Sequence, residues 1–321
     1  MMRRFQLGLA MFALPVLACS LFLAGCSKEE KKDNTNTKTE QDPTKTAGPL
    51  KALEPKGGVV KGKITLKGSP DVEALTKALK AKIEAKADSK DYCLKCADTE
   101  KTEQEYRIGD NKQLGNVFVW IKPDTGTFFK VDEKQLAHAK DHPVEIRQPH
   151  CAFIPHAAIL FSQYHPDPAK PRSEKPTGQV LKIINDAEIS HNTNWKGGSK
   201  NAGDNVTLPK ESKPRVVDNL VPDSTPVTFV CNIHGWMDAH LMVVDTPYYA
   251  ISLSDTLDKN KVEKSSDKFG TFEIKNLPVG KVRILAWHEK AGWLNKGEGK
   301  GQEITIEEGK PLDLEFTATA K

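Results

Sequence analysis

Short apolar runs alternate with turn-forming residues along most of the chain after residue 56. The first run, residues 59–66, alternates between apolar and polar positions with a period of two, which is the period of a strand with one buried face. Similar runs follow, separated by Pro, Gly, Asn and Asp, at residues 116–122, 144–147, 157–161, 180–184, 216–220, 227–230 and 240–244. Strands at this spacing predict an all-β fold, an antiparallel β-sandwich.

One helix is predicted near the start of this pattern, as an insertion. Ser69-Pro70-Asp71 supplies a cap candidate, a proline for the first turn and an early acidic residue. The apolar positions that follow share one helical face, at Val72, Leu75, Leu79 and Ile83.

A second unit is predicted from residue 247 to residue 321, with strand-like runs at 248–253, 270–274, 281–287, 304–306 and 312–316. The stretch from Gly270 to Gly280 contains Leu277-Pro278-Val279-Gly280 as a turn between two strands. It resembles carboxypeptidase-regulatory-like and transthyretin-like domains, in which this strand, turn and strand recur. The resemblance implies a small β-sandwich with a packing or adhesive role and no catalysis.

The N-terminus predicts export. Arg3 and Arg4 precede an apolar run that ends in Leu23-Ala24-Gly25-Cys26, and a basic start before an apolar core is typical of a secretory signal. The last four residues resemble a bacterial lipobox, which implies a signal peptide at 1–25 and a lipid on Cys26. We therefore expect an exported protein anchored to a bacterial envelope membrane, facing the periplasm or the cell surface. Ser27 slightly favours the outer membrane; an ordinary signal peptide or a membrane-spanning helix is the alternative.

Residues 26–56 are almost entirely polar and predict a disordered tether. A flexible segment of this length spans about 30 Å and would let a folded head stand off the membrane. Removal of the signal lowers the formal net charge from +4 to +2, because Arg3 and Arg4 leave with it. A chain this close to neutral predicts no nucleic-acid partner.

The strongest functional motif is Cys231-Asn232-Ile233-His234-Gly235-Trp236-Met237, directly after the apolar run 227–230. About 40 residues upstream, His191-Asn192 follows another apolar segment. One thiolate, two imidazoles and a weak thioether form the ligand set of a blue copper site. Because one tight loop cannot surround a metal, the fourth ligand must come from a neighbouring strand. The sequence thus predicts one mononuclear type 1 copper on His191, Cys231, His234 and Met237, with Asn192 bracing the loop.

This motif resembles the cupredoxins, in particular their amicyanin- and plastocyanin-like members, in the spacing of Cys231, His234 and Met237 and in the His191-Asn192 segment. The resemblance covers about residues 115–245 and implies a Greek-key β-sandwich within a copper domain at 57–246. It also implies that His234 reaches the surface in an apolar patch, where electrons leave. The order of signal, copper domain and C-terminal domain resembles bacterial proteins labelled methylamine-utilisation-like, a label that establishes no substrate.

Other assignments of these ligands remain open. Zinc binds Cys and His as well, although it seldom takes a thioether. His240 and Met242 are rival ligands, but their alternation with Leu241 and Val243 favours a sheet face. His150 and His156 would support the copper loop, bind a second metal or simply form a strand corner.

The remaining cysteines predict one disulfide. An oxidising compartment favours a bridge, and Cys231 is needed as a thiolate. Cys93-Leu94-Lys95-Cys96 is compatible with a redox pair, but the simpler expectation is that Cys151 pairs with Cys93 or with Cys96, which leaves one thiol over.

No catalytic motif accompanies the metal ligands: the sequence has no nucleophile elbow, no phosphate-binding glycine loop and no His-Glu-x-x-His. We therefore expect an electron carrier with a redox partner protein rather than an enzyme. The alternative is an envelope protein that uses the same fold for copper storage or adhesion, without electron transfer.

The lipobox generates the first prediction. Cys26→Ala should block lipidation and change the membrane partitioning or the processing of the protein, because Cys26 is both the expected acylation site and the first residue after the expected cleavage. Mass spectrometry of the mature native protein reads the modification directly. An unmodified Cys26 in that protein would refute the anchor.

Overall fold

β-Strands are the main secondary structure of the described residues, and the predicted all-β sandwich architecture is confirmed. The structure, a computed structural model, describes residues 49–167, 169–170, 173–255 and 262–321. The predicted signal peptide, Cys26 and the tether up to residue 48 lie outside the described residues. Among the described residues, no helix is both long enough and apolar enough to cross a membrane.

The elements have the following bounds. The helices are α1 (Val72–Glu84), α2 (Lys90–Cys93) and α3 (Glu133–Asp141), with short 3-10 turns at Asp98–Lys101 and Glu298–Lys300. The strands are β1 (Lys51–Leu53), β2 (Pro55–Lys67), β3 (Phe118–Pro123), β4 (Thr127–Phe129), β5 (Val144–Gln148), β6 (Ala157–Phe161), β7 (Gln163–Tyr164), β8 (Lys175–Pro176), β9 (Leu181–Asn185), β10 (His191–Lys196), β11 (Asp204–Leu208), β12 (Arg215–Val217), β13 (Val227–Val230), β14 (Asp238–Val244), β15 (Tyr249–Ile251), β16 (Thr271–Pro278), β17 (Gly280–His288), β18 (Gly292–Trp293), β19 (Gln302–Ile306) and β20 (Leu312–Thr319).

The first sandwich carries the predicted metal ligands. Its larger sheet has the order β11-β10-β13-β14-β6, and the facing sheet has the order β12-β9-β5. Side chains of both sheets meet in one buried core, which includes Ile146, Ile183 and Phe229. The sandwich is not purely antiparallel, because β6 runs parallel to β14 and β5 runs parallel to β9.

The second sandwich combines strands from both ends of the described chain. One sheet has the order β15-β3-β17-β18, with β19 also on β17, and the other has the order β16-β2-β20. Ile64 of β2, Val119 of β3 and Ile284 of β17 are fully buried in their common core. Since β2 pairs with β16 and β20, and β3 pairs with β17, the predicted boundary near residue 247 does not coincide with a break in strand pairing. Strand β3, within the expected copper-domain core at 115–245, belongs to this second sandwich.

A third core packs the two sandwiches against each other. Ile159 and Phe161 of β6 and Met242 of β14 meet Trp120 of β3 and Leu285 of β17. Each of β6, β14, β3 and β17 therefore has buried side chains on both faces, which makes a stack of four sheets. Strands covered on both sides read as continuous apolar runs, and all five residues of β6 are buried.

The predicted helix forms at Val72–Glu84, and two further α-helices exist among the described residues. The Asp71 side chain caps α1 by accepting a hydrogen bond from the Ala74 N–H at 2.9 Å. Helix α3 begins with a capping box, in which Asp132 and Gln135 each accept from the other's backbone N–H.

The predicted tether extends too far. Residues Lys51–Leu53 form β1, which pairs in parallel with β4, and β2 begins at Pro55. Leu53 packs against the core of the second sandwich. The packing of Leu53 and the pairing with β4 order a segment whose composition alone predicts disorder.

Candidate metal centre

The loop between β13 and β14 places three of the four predicted ligands on one turn. Val230 pairs with Asp238 at the end of the two antiparallel strands, so residues 231–237 form a closed loop. Within it, the Cys231 N–H donates to the Met237 carbonyl at 3.2 Å, and the Met237 N–H donates to the His234 carbonyl at 2.9 Å. These two hydrogen bonds fold the loop back on itself.

His191 approaches this loop from the adjacent strand. It is the first residue of β10, whose later residues pair with β13 through Asn194 and Val230. The Cys231 Sγ lies 3.9 Å from the Nδ1 of His191 and 3.9 Å from the Nδ1 of His234. The two Nδ1 atoms are 3.0 Å apart. The structure thus brings together one sulfur and two imidazole nitrogens, as the sequence predicts.

Asn192 holds the loop in this position. Its Oδ1 accepts from the backbone N–H groups of Asn232 at 2.7 Å and Ile233 at 3.2 Å, and from the Cys231 thiol at 3.4 Å. Its amide nitrogen donates to the Asn205 Oδ1 at 2.7 Å. The residue beside one predicted ligand therefore fixes the backbone beside another, which is the bracing role expected of it.

Burial keeps both imidazoles neutral. His191 is 0% exposed, and Cys231 and His234 are each 1% exposed. Desolvation and the nearby His234 lower the pKa of His191 to about 4. Desolvation and the charge of Lys86 likewise lower the pKa of His234. Neutral imidazole is the form that binds metals, so the site offers two nitrogen lone pairs next to a thiol.

These donors fit copper. A set of one thiolate and two imidazoles suits Cu(I) and Cu(II) and equally suits zinc. Two facing nitrogens 3.0 Å apart hold at most one proton between them when both rings are neutral, and a cation bound by both would take its place. Met237 is 3% exposed and belongs to the same core as Cys231. Its role as the weak axial ligand stays a prediction.

A helical segment covers the site, contrary to expectation for His234. The Nε2 of His234 forms a hydrogen bond with the Ser89 hydroxyl at 3.0 Å, just before α2. A disulfide joins Cys93, at the end of α2, to Cys151, which is one of the two pairings the sequence left open. The expected exposure of His234 is wrong, because the segment containing α1 and α2 lies over its ring. We call residues 72–93 the helical cap.

Beside the cap, a cavity of about 290 Å³ reaches the loop of residues 231–237. It lies between Leu75 and Leu79 of α1 on one side and Trp236 and Met237 on the other. The Trp236 ring nitrogen donates to the Cys151 carbonyl at 3.1 Å, so the disulfide and the loop are also joined directly.

The rival ligands lie elsewhere. His240 interacts with Glu289 at 3.2 Å, and Met242 is fully buried in the core between the two sandwiches. His150 interacts with Glu100 at 3.2 Å, and His156 with Glu289 at 2.5 Å. Cys96, the leftover cysteine, is a buried free thiol, and burial raises its pKa to about 11. Sequence reasoning missed Ser89 and Glu289, and neither belongs to a motif that would have shown them.

Comparisons with known proteins add little to this geometry. No protein-family model matches the sequence, and no curated protein matches it. Two solved structures of amicyanin, one a mutant in the reduced state and the other a mutant with Cu(I), align with 39% of this chain. The alignments cover 99% and 98% of those chains at 12% identity, with TM-scores of 0.23 and 0.24. Because these scores are low, any function has to be inferred from the site itself.

The disulfide generates the second prediction. Cys151→Ser should lower the free energy of unfolding of the metal-free protein by about 2–4 kcal/mol, because a closed loop between residues 93 and 151 is lost from the unfolded state. Urea denaturation followed by circular dichroism measures the change. Cys96→Ser is the matched control, since it removes a buried thiol without opening a bridge. Equal effects of the two substitutions would contradict the assignment.

Proposed function

We propose that this protein is a membrane-anchored carrier of single electrons that uses a mononuclear type 1 copper site. One observation carries the proposal: a cysteine sulfur and two imidazole Nδ1 atoms converge in a buried position, at 3.9, 3.9 and 3.0 Å from one another. Copper, when bound there, supplies a one-electron couple between Cu(II) and Cu(I). The remaining steps concern what the chain itself contributes.

Cys231, His191 and His234 are the principal donors in this proposal. The sulfur binds as thiolate, so the proton of Cys231 leaves when the metal enters. The backbone N–H of His234 donates to that sulfur at 3.4 Å and would stabilise its negative charge. Met237, the next buried side chain of the loop, would supply a weak fourth donor.

The surroundings suit electron transfer because they hold the donors still. Asn192 fixes the loop backbone through two hydrogen bonds, and the helical cap fixes the far nitrogen of His234 through Ser89. Burial also keeps water from the site. A site whose supporting residues are locked in this way has little to rearrange when the metal changes its charge.

The cellular setting follows from the N-terminal motif. We propose that a lipid on Cys26 anchors the protein in a bacterial envelope membrane and that a redox partner protein exchanges electrons with it. In this proposal the protein is no enzyme, since its metal serves only to accept and pass on an electron.

The third prediction tests the metal and its class together. The wild-type protein titrated with Cu(II) should bind one ion and show an intense thiolate-to-copper band in the visible spectrum. Cys231→Ser should abolish the band, because a hydroxyl cannot replace the thiolate. Cys96→Ser is the matched control and should keep the band at full intensity, since Cys96 lies outside the cluster of donor atoms.

Each outcome decides the proposal. A band with reversible reduction supports the electron carrier. Copper that binds without the band, or a band unchanged in Cys231→Ser, refutes the type 1 site and favours the copper-storage alternative.

The fourth prediction concerns the axial ligand. Met237→Leu should keep copper and the blue band but raise the reduction potential, because a donor that favours Cu(II) is lost. Protein-film voltammetry measures the potential. Met242→Leu is the matched control, since Met242 is equally buried but lies in the core between the sandwiches. The same potential in Met237→Leu and wild type would remove Met237 from the ligand set.

A further inference from the structure

A second cluster of metal-ligating side chains lies where the two sandwiches meet. It contains His156 just before β6, Asp238 and His240 at the start of β14, and Glu289 just after β17. One ligand atom of each residue lies within 4.8 Å of the others. None of the four belongs to the proposed copper site.

Glu289 lies between the two imidazoles. Its Oε1 is 2.5 Å from the Nε2 of His156, and its Oε2 is 3.2 Å from the Nε2 of His240. The Asp238 Oδ2 is 3.8 Å from the same nitrogen of His240. Two nitrogens and two carboxylates thus converge from three separate segments of the chain.

The hydrogen bonds behind the imidazoles fix which nitrogen faces the cluster. The Nδ1 of His156 lies 3.1 Å from the Asp238 backbone carbonyl, which can only accept, so this nitrogen carries the hydrogen. In the neutral ring the Nε2 lone pair therefore points toward Glu289. A backbone carbonyl that orients the far side of an imidazole in this way is typical of histidines that bind metals. The Nδ1 of His240 lies 3.3 Å from the Thr228 hydroxyl, so the Nε2 is the nitrogen of this ring that faces Glu289.

A buried carboxylate in this position needs a cation. The side chains of His156, Glu289 and His240 are only 3%, 8% and 12% exposed. An unpaired charge is very costly there. Without a metal, protonated His156 supplies the positive charge. Burial opposes this protonation, but the charge and hydrogen bond of Glu289 outweigh burial and raise the pKa of His156 to about 9. A metal ion bound to the same Nε2 would replace that proton.

We propose that His156, Asp238, His240 and Glu289 form a structural binding site for Zn²⁺. Four-coordinate zinc accepts histidine nitrogens and Asp or Glu oxygens, and structural sites fill all four positions from the protein. Hard cations such as Mg²⁺ and Ca²⁺ prefer oxygen ligands throughout, so two imidazoles argue against them. The ion would join β6 and β14 of the first sandwich to the end of β17 in the second.

The experiment isolates this site from the proposed copper site. A background protein with Cys231→Ser and His234→Ala removes two donors of the first cluster. After removal of metals, zinc is titrated by calorimetry, and the thermal unfolding midpoint is measured with and without zinc. The background protein should bind one zinc ion, and its midpoint should rise, because the ion binds the folded state.

Two variants of the background protein test the ligands, and a third is the control. Glu289→Gln and His240→Ala should each weaken zinc binding by at least about 100-fold, since even outer partners of metal ligands cost about 10–100-fold. Glu303→Gln should leave it unchanged, because Glu303 pairs with Lys281 and is not one of the four clustered residues. His240 is the more exposed of the two histidines, so His240→Ala decides the matter if Glu289→Gln fails to fold.

A folded background protein that binds no zinc would overturn the proposal. Undiminished binding in folded His240→Ala would overturn it as well. Neither result depends on whether the first site binds copper, so the two proposals fail separately.

Discussion

The pairing of Val230 with Asp238 is the contact on which the functional part of the molecule depends. It closes the loop that carries Cys231, His234 and Met237. It also starts β14, which runs parallel to β6 with His240 opposite Ala157 and so brings His240 near His156. One strand junction therefore sets the position of the proposed copper donors on its loop side and of the proposed zinc ligands on its strand side. Because β14 is covered on both faces, neither group can shift without disturbing a packed core.

Burial acts differently on the two clusters in the absence of a metal. In the first cluster, burial keeps His191 and His234 neutral, so no buried charge has to be compensated. The energetic cost of burial is then limited to polar atoms with few hydrogen-bond partners, such as the Nε2 of His191. In the second cluster, Glu289 keeps its charge, and His156 offsets it as an imidazolium. The two solutions predict different metals. A neutral pair beside a thiol favours a soft ion, whereas a cluster with two carboxylates favours a harder one.

Local features were readable from the sequence, and distant partnerships were not. Cys231, His234 and Met237 lie within one loop, so their spacing predicts a set of donors before any fold is known. The bounds of β6 and β13 match the apolar runs at 157–161 and 227–230. The two residues of the α3 capping box, Asp132 and Gln135, can be found in the sequence. They do not predict the helix alone, because no apolar periodicity follows them. By contrast, period-two alternation shows that a strand exists and says nothing about its partner.

Strand pairing crosses the predicted boundary near residue 247 for that reason. Strand β2 pairs with β16 and β20, both more than 200 residues later, and nothing in residues 59–66 specifies either. The same limit applies to single contacts. Ser89 meets His234 across 145 positions, and Glu289 meets His156 across 133. Such residues become functional candidates only when the packing of the sheets brings them to the site.

In the proposed electron carrier, the helical cap would change where electrons enter and leave. His234 contacts the cap through Ser89, so a partner protein cannot reach the edge of its ring while the cap is in place. In the loop of residues 231–237, the exposed residues are instead Asn232, Ile233 and Gly235. Ile233 is 37% exposed and is one of two large hydrophobic side chains exposed among the described residues. It directly precedes His234 and lies two positions from Cys231, so a partner docked on Ile233 would be separated from either donor by a short length of backbone. The disulfide from Cys93 to Cys151 holds the cap against the loop and thereby makes this exposed turn, rather than the histidine edge, the accessible face of the site.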